Sequence, residues 1–452
     1  MTATKSSHVR WFLISWLFVL SAVAYLDRVN IAIAGSVIAE AYHFSNVQLG
    51  NVFSSLLVGY ALFQTVGGHL ADRLGSRRVL FAGVMWWGIF TALTAAVPTK
   101  VGHALLLFIA IRFLLGAGEA VVYPASNQFV ARWIPVTERG IANGMIFAGV
   151  GVGAGLTAPF ITYVMLRYGW RWSFWMCAII GLVAGATWYF AARDTPEQHP
   201  RVNISELNKI RVGRGRSLSS GSTPPNLATL IPWSSVLRSR EVWTVTVSYF
   251  CYGYVAWIFL AWFYTYLAKV RGLNLKASAL YAMLPFLAMA ATCPLGGIIS
   301  DRLTKLHGAR VGRCMVAVGG MGLAALFIAF GSQVGDTRLA SVVLAGGAGA
   351  LYLSQSSFWS VTAGIAGPSS GSVSGFMNMG AQLGGAVTAS LTPAIADRFG
   401  WTASFLVAAA LCACGAAAWL LVDPEASLVE SRGEPDVCIA APENVVTGSS
   451  EG

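Results

Sequence analysis

The stretch Gly67-Gly68-His69-Leu70-Ala71-Asp72-Arg73-Leu74 returns 229 residues later as Gly296-Gly297-Ile298-Ile299-Ser300-Asp301-Arg302-Leu303. Each copy closes an apolar run long enough to cross a bilayer, and each puts an Asp-Arg pair where the run ends. A second echo keeps nearly the same interval: Tyr168-Gly169-Trp170-Arg171-Trp172-Ser173-Phe174 and Phe399-Gly400-Trp401-Thr402-Ala403-Ser404-Phe405 lie 231 residues apart. Two matches at almost one offset predict duplication of a structural unit.

Outward from these marks, apolar runs of about 18 to 25 residues recur near 11–34, 48–70, 79–97, 104–125, 140–164, 173–192, 242–268, 278–300, 314–331, 339–360, 371–395 and 401–422. They predict an all-α polytopic membrane protein with twelve transmembrane helices in two pseudo-symmetric six-helix halves, 1–192 and 241–422. A basic linker, 193–240, joins the halves, and a polar tail, 423–452, is expected to be disordered. Composition agrees: 56% of the 452 residues are hydrophobic and 11% charged, against about 25% charged in soluble chains. That excludes an ordinary soluble enzyme.

Lys5 and Arg10 precede the first run, and Ala32-Ile33-Ala34 resembles a signal-peptidase site. The run is too long for a signal core and is interrupted by Asp27-Arg28, so it reads as a retained first helix. The seven cysteines (177, 251, 293, 314, 412, 414 and 438) form no CxxC pair and read as small buried hydrophobes. No metal site or cofactor is expected.

The net charge of +11 would point to nucleic acid in a soluble chain. Mapped onto the spans, however, 20 of the 30 Lys and Arg residues fall on the side that carries both termini and the linker, and 8 on the other. By the positive-inside rule both termini and the linker are cytoplasmic, in a cell (inner) membrane. The charge then reports orientation, with no nucleic-acid partner. The linker holds eight basic residues against three acids and reads as solvated, with contact to anionic headgroups as the other possibility.

Two basic residues and two acids remain deep in the spans: Arg28, Arg112, Asp27 and Glu119. At roughly 2.5–3.5 kcal/mol each in mid-membrane, they must face protein or water. One reading makes them two ion pairs that only pin helices. The other gives them chemistry. A carboxyl in a dry interior is easier to protonate, which makes Asp27 and Glu119 candidate proton carriers. A guanidinium keeps its charge and matches a carboxylate fork, which makes Arg28 and Arg112 candidate anion holders. Arg112, Gly116, Glu119 and Tyr123 share a helix stripe, as do Tyr25 and Arg28, whereas Asp27 points about 100° away.

Weaker candidates are Tyr60 and Gln64 in the second span, Gln355, Ser356 and Trp359 in the tenth, and Asn378 and Gln382 in the eleventh; the alternative reading of each is a helix-to-helix bond. The seventh span has ten aromatics between Tyr249 and Tyr266; Tyr249, Tyr252, Trp257 and Tyr264 are candidate cavity residues. Gly149-x-Gly151-x-Gly153-x-Gly155 has no preceding strand and reads as close helix packing. No hydrolytic constellation is present, so the chain is not expected to be an enzyme.

Gly67–Arg78, GGHLADRLGSRR, resembles the signature between the second and third helices of the major facilitator superfamily, and Asp301-Arg302 resembles its second-half copy. Within it, Tyr25-Leu26-Asp27-Arg28-Val29-Asn30, the run from Arg112 to Ala120 followed by Pro124-Ala125, and Arg132-Trp133-Ile134-Pro135-x-x-Glu138-Arg139-Gly140 resemble the anion:cation symporter family. The resemblance implies a major facilitator fold and a proton-coupled carrier of organic anions, commonly sugar acids such as galactonate, glucarate or hexuronates. It implies protonation at Asp27 and Glu119, with protons as the coupling ion. It also puts Tyr25, Arg28, Tyr60 and the polar groups of the tenth and eleventh helices near substrate. Gly68, Asp72, Arg73, Gly75, Arg77, Arg78, Asp301, Arg302, Glu138 and Arg139 are implied gate residues. Asp72 is expected to bond a facing helix N-terminus and Arg73, Arg77 and Arg78, although positive charge there also serves topology. Phe147-Ala148-Gly149-Val150-Gly151 departs from the polar fifth-helix stretch of sugar-acid members and leaves room for a less hydroxylated or aromatic carboxylate. A single chain is expected to work alone. Export of amphipathic compounds and a non-transporting membrane sensor are the alternative functions.

Overall fold

A computed structural model describes residues 6–99, 102–213, 230–273 and 275–428. The tail expected to be disordered lies almost wholly outside them, as does part of the linker. Before the linker run α1 (Val9–Tyr42), α2 (Asn46–Leu74), α3 (Ser76–Ala96), α4 (Ala104–Glu119), α5 (Val122–Trp133), α6 (Arg139–Tyr168) and α7 (Trp170–Ala191). The linker contributes α8 (Ile204–Gly213) and α9 (Trp233–Arg238). After it come α10 (Arg240–Ala261), the single turn α11 (Phe263–Thr265), α12 (Leu275–Ala309), α13 (Val316–Gln333), α14 (Thr337–Leu353), α15 (Gln355–Ala366), α16 (Ser370–Phe399) and α17 (Trp401–Ala418).

Ten helical stretches among the described residues are long and apolar enough to span a membrane. Two of them, of 54 and 63 residues, would measure about 80 and 95 Å at about 1.5 Å per residue, so each must cross a ~30 Å hydrocarbon layer twice. The first folds back where Gly308 adopts φ 84°, the second at Gly367-Pro368-Ser369. The chain therefore makes twelve crossings and is a multi-pass membrane protein. Leu62, Leu106, Leu166, Phe190, Leu326 and Phe330 are all more than half exposed, as suits a lipid-facing belt.

Two crossings are broken. The fourth is α4 followed by α5: Pro124, which has no N–H to give Ala120, loosens the ladder at residues 120–121. The tenth breaks at Ser354, whose hydroxyl takes the Leu351 carbonyl at 2.6 Å. The second sequence echo marks a shared turn: Gly169 and Gly400 have φ 88° and 84° and start α7 and α17. Across the molecule α6 lies along α12 and α2 along α16, so the second crossing meets the eleventh as the eighth meets the fifth.

The linker is not merely solvated. Glu206 of α8 is fully buried and accepts from Ser7 Oγ, from the backbone N–H groups of Val9 and Arg10 at 3.0 and 3.2 Å, and from Arg10 Nη1 at 3.0 Å. Burial alone would raise its pKa. The bonds from Ser7 and the two N–H groups, with the Arg10 charge, outweigh burial and hold it below the usual glutamate value. Ile210 is buried beside it.

Candidate functional site

Arg28, from the middle of α1, organises the centre of the molecule. Its Nε donates to Glu119 Oε2 of α4 at 2.7 Å, and its guanidinium carbon stands 4.0 Å from the Tyr60 ring centre and 5.1 Å from that of Tyr25. Glu119 is wholly buried while Arg28 keeps 11% exposure, so the guanidinium is the part of the pair that meets a cavity. That cavity, of about 610 Å³ with its open mouth included, is lined by Tyr25, Arg28 and Tyr60 from the first helices and by Gln355, Asn378 and Gln382 from the far side.

The other two intramembrane charges stand behind the wall. Asp27 Oδ2 accepts from Thr91 of α3 at 3.2 Å, and its Oδ1 has no partner. Arg112 is buried with its Nε and Nη1 unpartnered. Of these four charges, only Arg28 and Glu119 form an ion pair among the described residues. Beside Asp27, Asn30 joins Ser173 at 2.8 Å and Cys177 at 3.6 Å.

The remaining candidates divide. Gln64, one turn beyond Tyr60, is fully buried with both amide atoms unpartnered. It lies outside the cavity, where α16 closes onto α2 at Gly375. Ser356 is not among the residues that line the cavity, although its neighbour Gln355 is. Trp359 stands behind the wall and donates from Nε1 to Tyr249 Oη at 3.0 Å, as Gln355 Nε2 does at 2.9 Å. Tyr264 lies past the end of α10 and is 39% exposed. Tyr249, Tyr252 and Trp257 do line the cavity, together with Tyr123, Phe147 and Tyr352. The helix stripe already singled out Tyr123; nothing local in the sequence singles out Tyr352.

The cavity is sealed on the side that carries the linker. Asp72, at the end of α2, accepts from the N–H groups of Gly371 and Ser372 at 2.9 and 2.7 Å and from Ser372 Oγ at 2.6 Å, so it caps α16. Asp301 of α12 does the same for α6, accepting from Gly140 and Ile141 N–H at 2.9 and 2.7 Å. The two caps are unequal. Asp301 also pairs with Arg313 at 2.7 Å, and Arg313 bonds the Val136 carbonyl across the interface at 2.7 Å. Beside each cap the backbones touch through glycine: a Cβ on Gly68 would strike the Gly371 carbonyl, and one on Gly297 that of Gly140.

The expected basic partners of Asp72 are elsewhere. Arg77 stacks on Tyr189 at 4.1 Å, its backbone N–H goes to Asp194 at 2.8 Å, and Gly75 makes the turn at φ 89°. Among the described residues Arg73, Arg78 and Arg302 make no bond to either aspartate. Arg139 Nη2 caps the Ala131 carbonyl at 3.0 Å. Glu138 pairs with Arg10 at 3.2 Å and Lys209 at 2.7 Å, so it ties the linker helix down rather than joining the seal.

The sequence matches the Major Facilitator Superfamily over residues 17–386 and 306–448. It is 33% identical to a "probable sulfoacetate transporter" of Cupriavidus necator, over 89% of this chain and 91% of that one. It is 30% identical to the hexuronate transporter of Bacillus subtilis (88% and 91%) and 31% to the chloroplastic ascorbate transporter of Arabidopsis thaliana (91% and 74%). Among solved structures, a proton:xylose symporter superposes with a TM-score of 0.72 at 15% identity, over 93% of this chain and 98% of that one. A fucose:proton symporter in its outward conformation gives 0.70 at 15%, over 92% and 99%. With the duplicated twelve-crossing fold and the paired helix caps already described, this chain belongs to the major facilitator superfamily.

Proposed function

We propose that the protein is a proton-coupled symporter that imports an organic carboxylate by alternating access, rocking its two halves around the central cavity. The observation that carries this reading is the Arg28–Glu119 bond at the cavity wall: a permanent cation whose counter-ion can be protonated. An incoming carboxylate competes with Glu119 for the guanidinium. A Glu119 that loses its cation in a buried place takes up a proton. Asp27, in no ion pair among the described residues, offers a second proton site. The relatives named as anion transporters support the substrate class.

One proton per monovalent anion makes the cycle electroneutral. Two, one through each carboxyl, move a net positive charge inward and add about 2.3 kcal/mol per 100 mV of membrane potential. Both termini and the linker are assigned to the cytoplasm from the Lys/Arg bias, and a single chain is the working unit. The test is uptake into liposomes under an inward pH gradient. Wild type should accumulate an anion, Glu119→Gln should lose accumulation by tenfold or more while still exchanging, and Asp27→Asn should lose gradient stimulation. Full coupling in both variants would refute the mechanism.

A further inference from the structure

We propose that the carried anion is a planar aromatic monocarboxylate with a polar substituent at its far end. The inference rests on the transport reading above and narrows its substrate.

Charge sets the first limit. Of the nineteen residues that line the cavity, Arg28 alone is formally charged, and Glu119 already holds its Nε. Arg112 lies outside. The site thus offers one guanidinium edge for one carboxylate, and a second anionic group would be buried with no cation to meet it.

Wall chemistry sets the second. Nine of the nineteen lining residues are aromatic. Two pairs of rings lie nearly parallel, one from each half: Tyr123 on Phe147, with centres 4.8 Å apart and planes 14° apart, and Tyr249 on Tyr252, 5.0 Å and 19°. Trp359 joins the two stacks, 5.1 Å from Phe147 and 6.3 Å from Tyr249. Aromatic lining from both halves suits an aromatic ligand, since rings pair well offset or edge to face with other rings.

Polar partners set the third. Apart from the tyrosine hydroxyls and the indole N–H of Trp257, the uncharged polar lining is Gln355, Asn378 and Gln382, all from the half opposite Arg28. Gln355 spends its Nε2 on Tyr249, and its Oε1 has no partner. The side chains of Phe147, Val150, Ala256, Leu260, Phe286 and Met289 offer no hydrogen-bond partner, so any sugar-acid hydroxyl set against them is left unpaired. A ring passes those residues without loss. A hydroxyl or amine opposite its carboxylate reaches the amides.

The experiment compares 4-hydroxybenzoate, 4-hydroxycyclohexanecarboxylate, terephthalate and galacturonate as binding probes and as pH-gradient-driven substrates of the purified full chain. The aromatic monoacid should bind and be taken up at least tenfold better than the saturated ring, with the dianion and the sugar acid weaker still. Phe147→Asn should shrink the aromatic preference, read as the ratio of 4-hydroxybenzoate to galacturonate uptake by the protein that still folds, because its ring packs on Tyr123 and Trp359. Tyr252→Leu, which removes the opposite face, should do likewise. Equal or better uptake of galacturonate or of the saturated ring would overturn the aromatic assignment, and equal or better uptake of terephthalate the restriction to one carboxylate; each leaves the symport reading standing. Absence of gradient-stimulated uptake for all four probes would overturn the symport reading itself.

Discussion

Tyr249 shows how a cavity wall is held at the scale of one residue. Its hydroxyl accepts from both Gln355 and Trp359, so replacing it with Phe strands two buried donors at about 1–3 kcal/mol each. Tyr249→Phe should therefore lower the detergent-solubilised melting temperature clearly, whereas Tyr252→Phe, whose hydroxyl makes no such bonds, should leave it nearly unchanged. Residue by residue, the intramembrane charges were legible because lipid makes any ion there conspicuous. Their partners were not. Helical spacing says which residues share a face of one helix, but not which neighbour that face meets. Hence Glu119 found Arg28 while Arg112 and Asp27 stayed apart, and Gln64, on the same stripe as Tyr60, fell outside the cavity.

At the scale of elements, the two helix caps have unequal consequences. Asp301→Asn leaves Arg313 buried without its anion, a loss of about 3–5 kcal/mol, so it should reduce folded yield and melting temperature. Asp72→Asn strands no buried cation; it removes the charge and turns one acceptor oxygen into a donor facing the α16 N–H groups, about 1–3 kcal/mol, and should change transport rate more than the amount of protein at the membrane. Equal loss of both would refute the role of Asp72 as a latch.

The linker helix makes a different prediction. An unfolded glutamate titrates near about 4.3 and docked Glu206 lower. Its stabilisation is therefore complete at neutral pH and disappears as pH falls through the docked value. Hydrogen exchange over residues 204–213 should be protected at pH 7, faster by tenfold or more in Glu206→Gln, given about 1.5–3 kcal/mol for bonds to a charged group, and faster in wild type on acidification once intrinsic rates are corrected. Unchanged protection in Glu206→Gln would discard the anchor. The crossings were legible from their length and apolarity. The docking of α8 was not, because its stretch is polar and held by ion pairs to Arg10 and Glu138, residues far away in sequence.

At the scale of the whole molecule, the duplication read from two short echoes reappears as reciprocal contacts, α2 with α16 and α6 with α12. Orientation is a whole-molecule property too. A fluorescent protein fused to the C-terminus should glow, and alkaline phosphatase fused there should be inactive; the reverse would invert the assigned topology. The residues that close the linker side, Gly68, Gly371, Gly140 and Gly297 with the two capping aspartates, are wholly separate from those that line the cavity. What the molecule carries and whether it can shut are thus encoded in different letters. Descendants of such a chain are free to exchange cavity side chains and try new cargoes, while drift at the four glycines is restricted to silence, because any side chain there would prop the door.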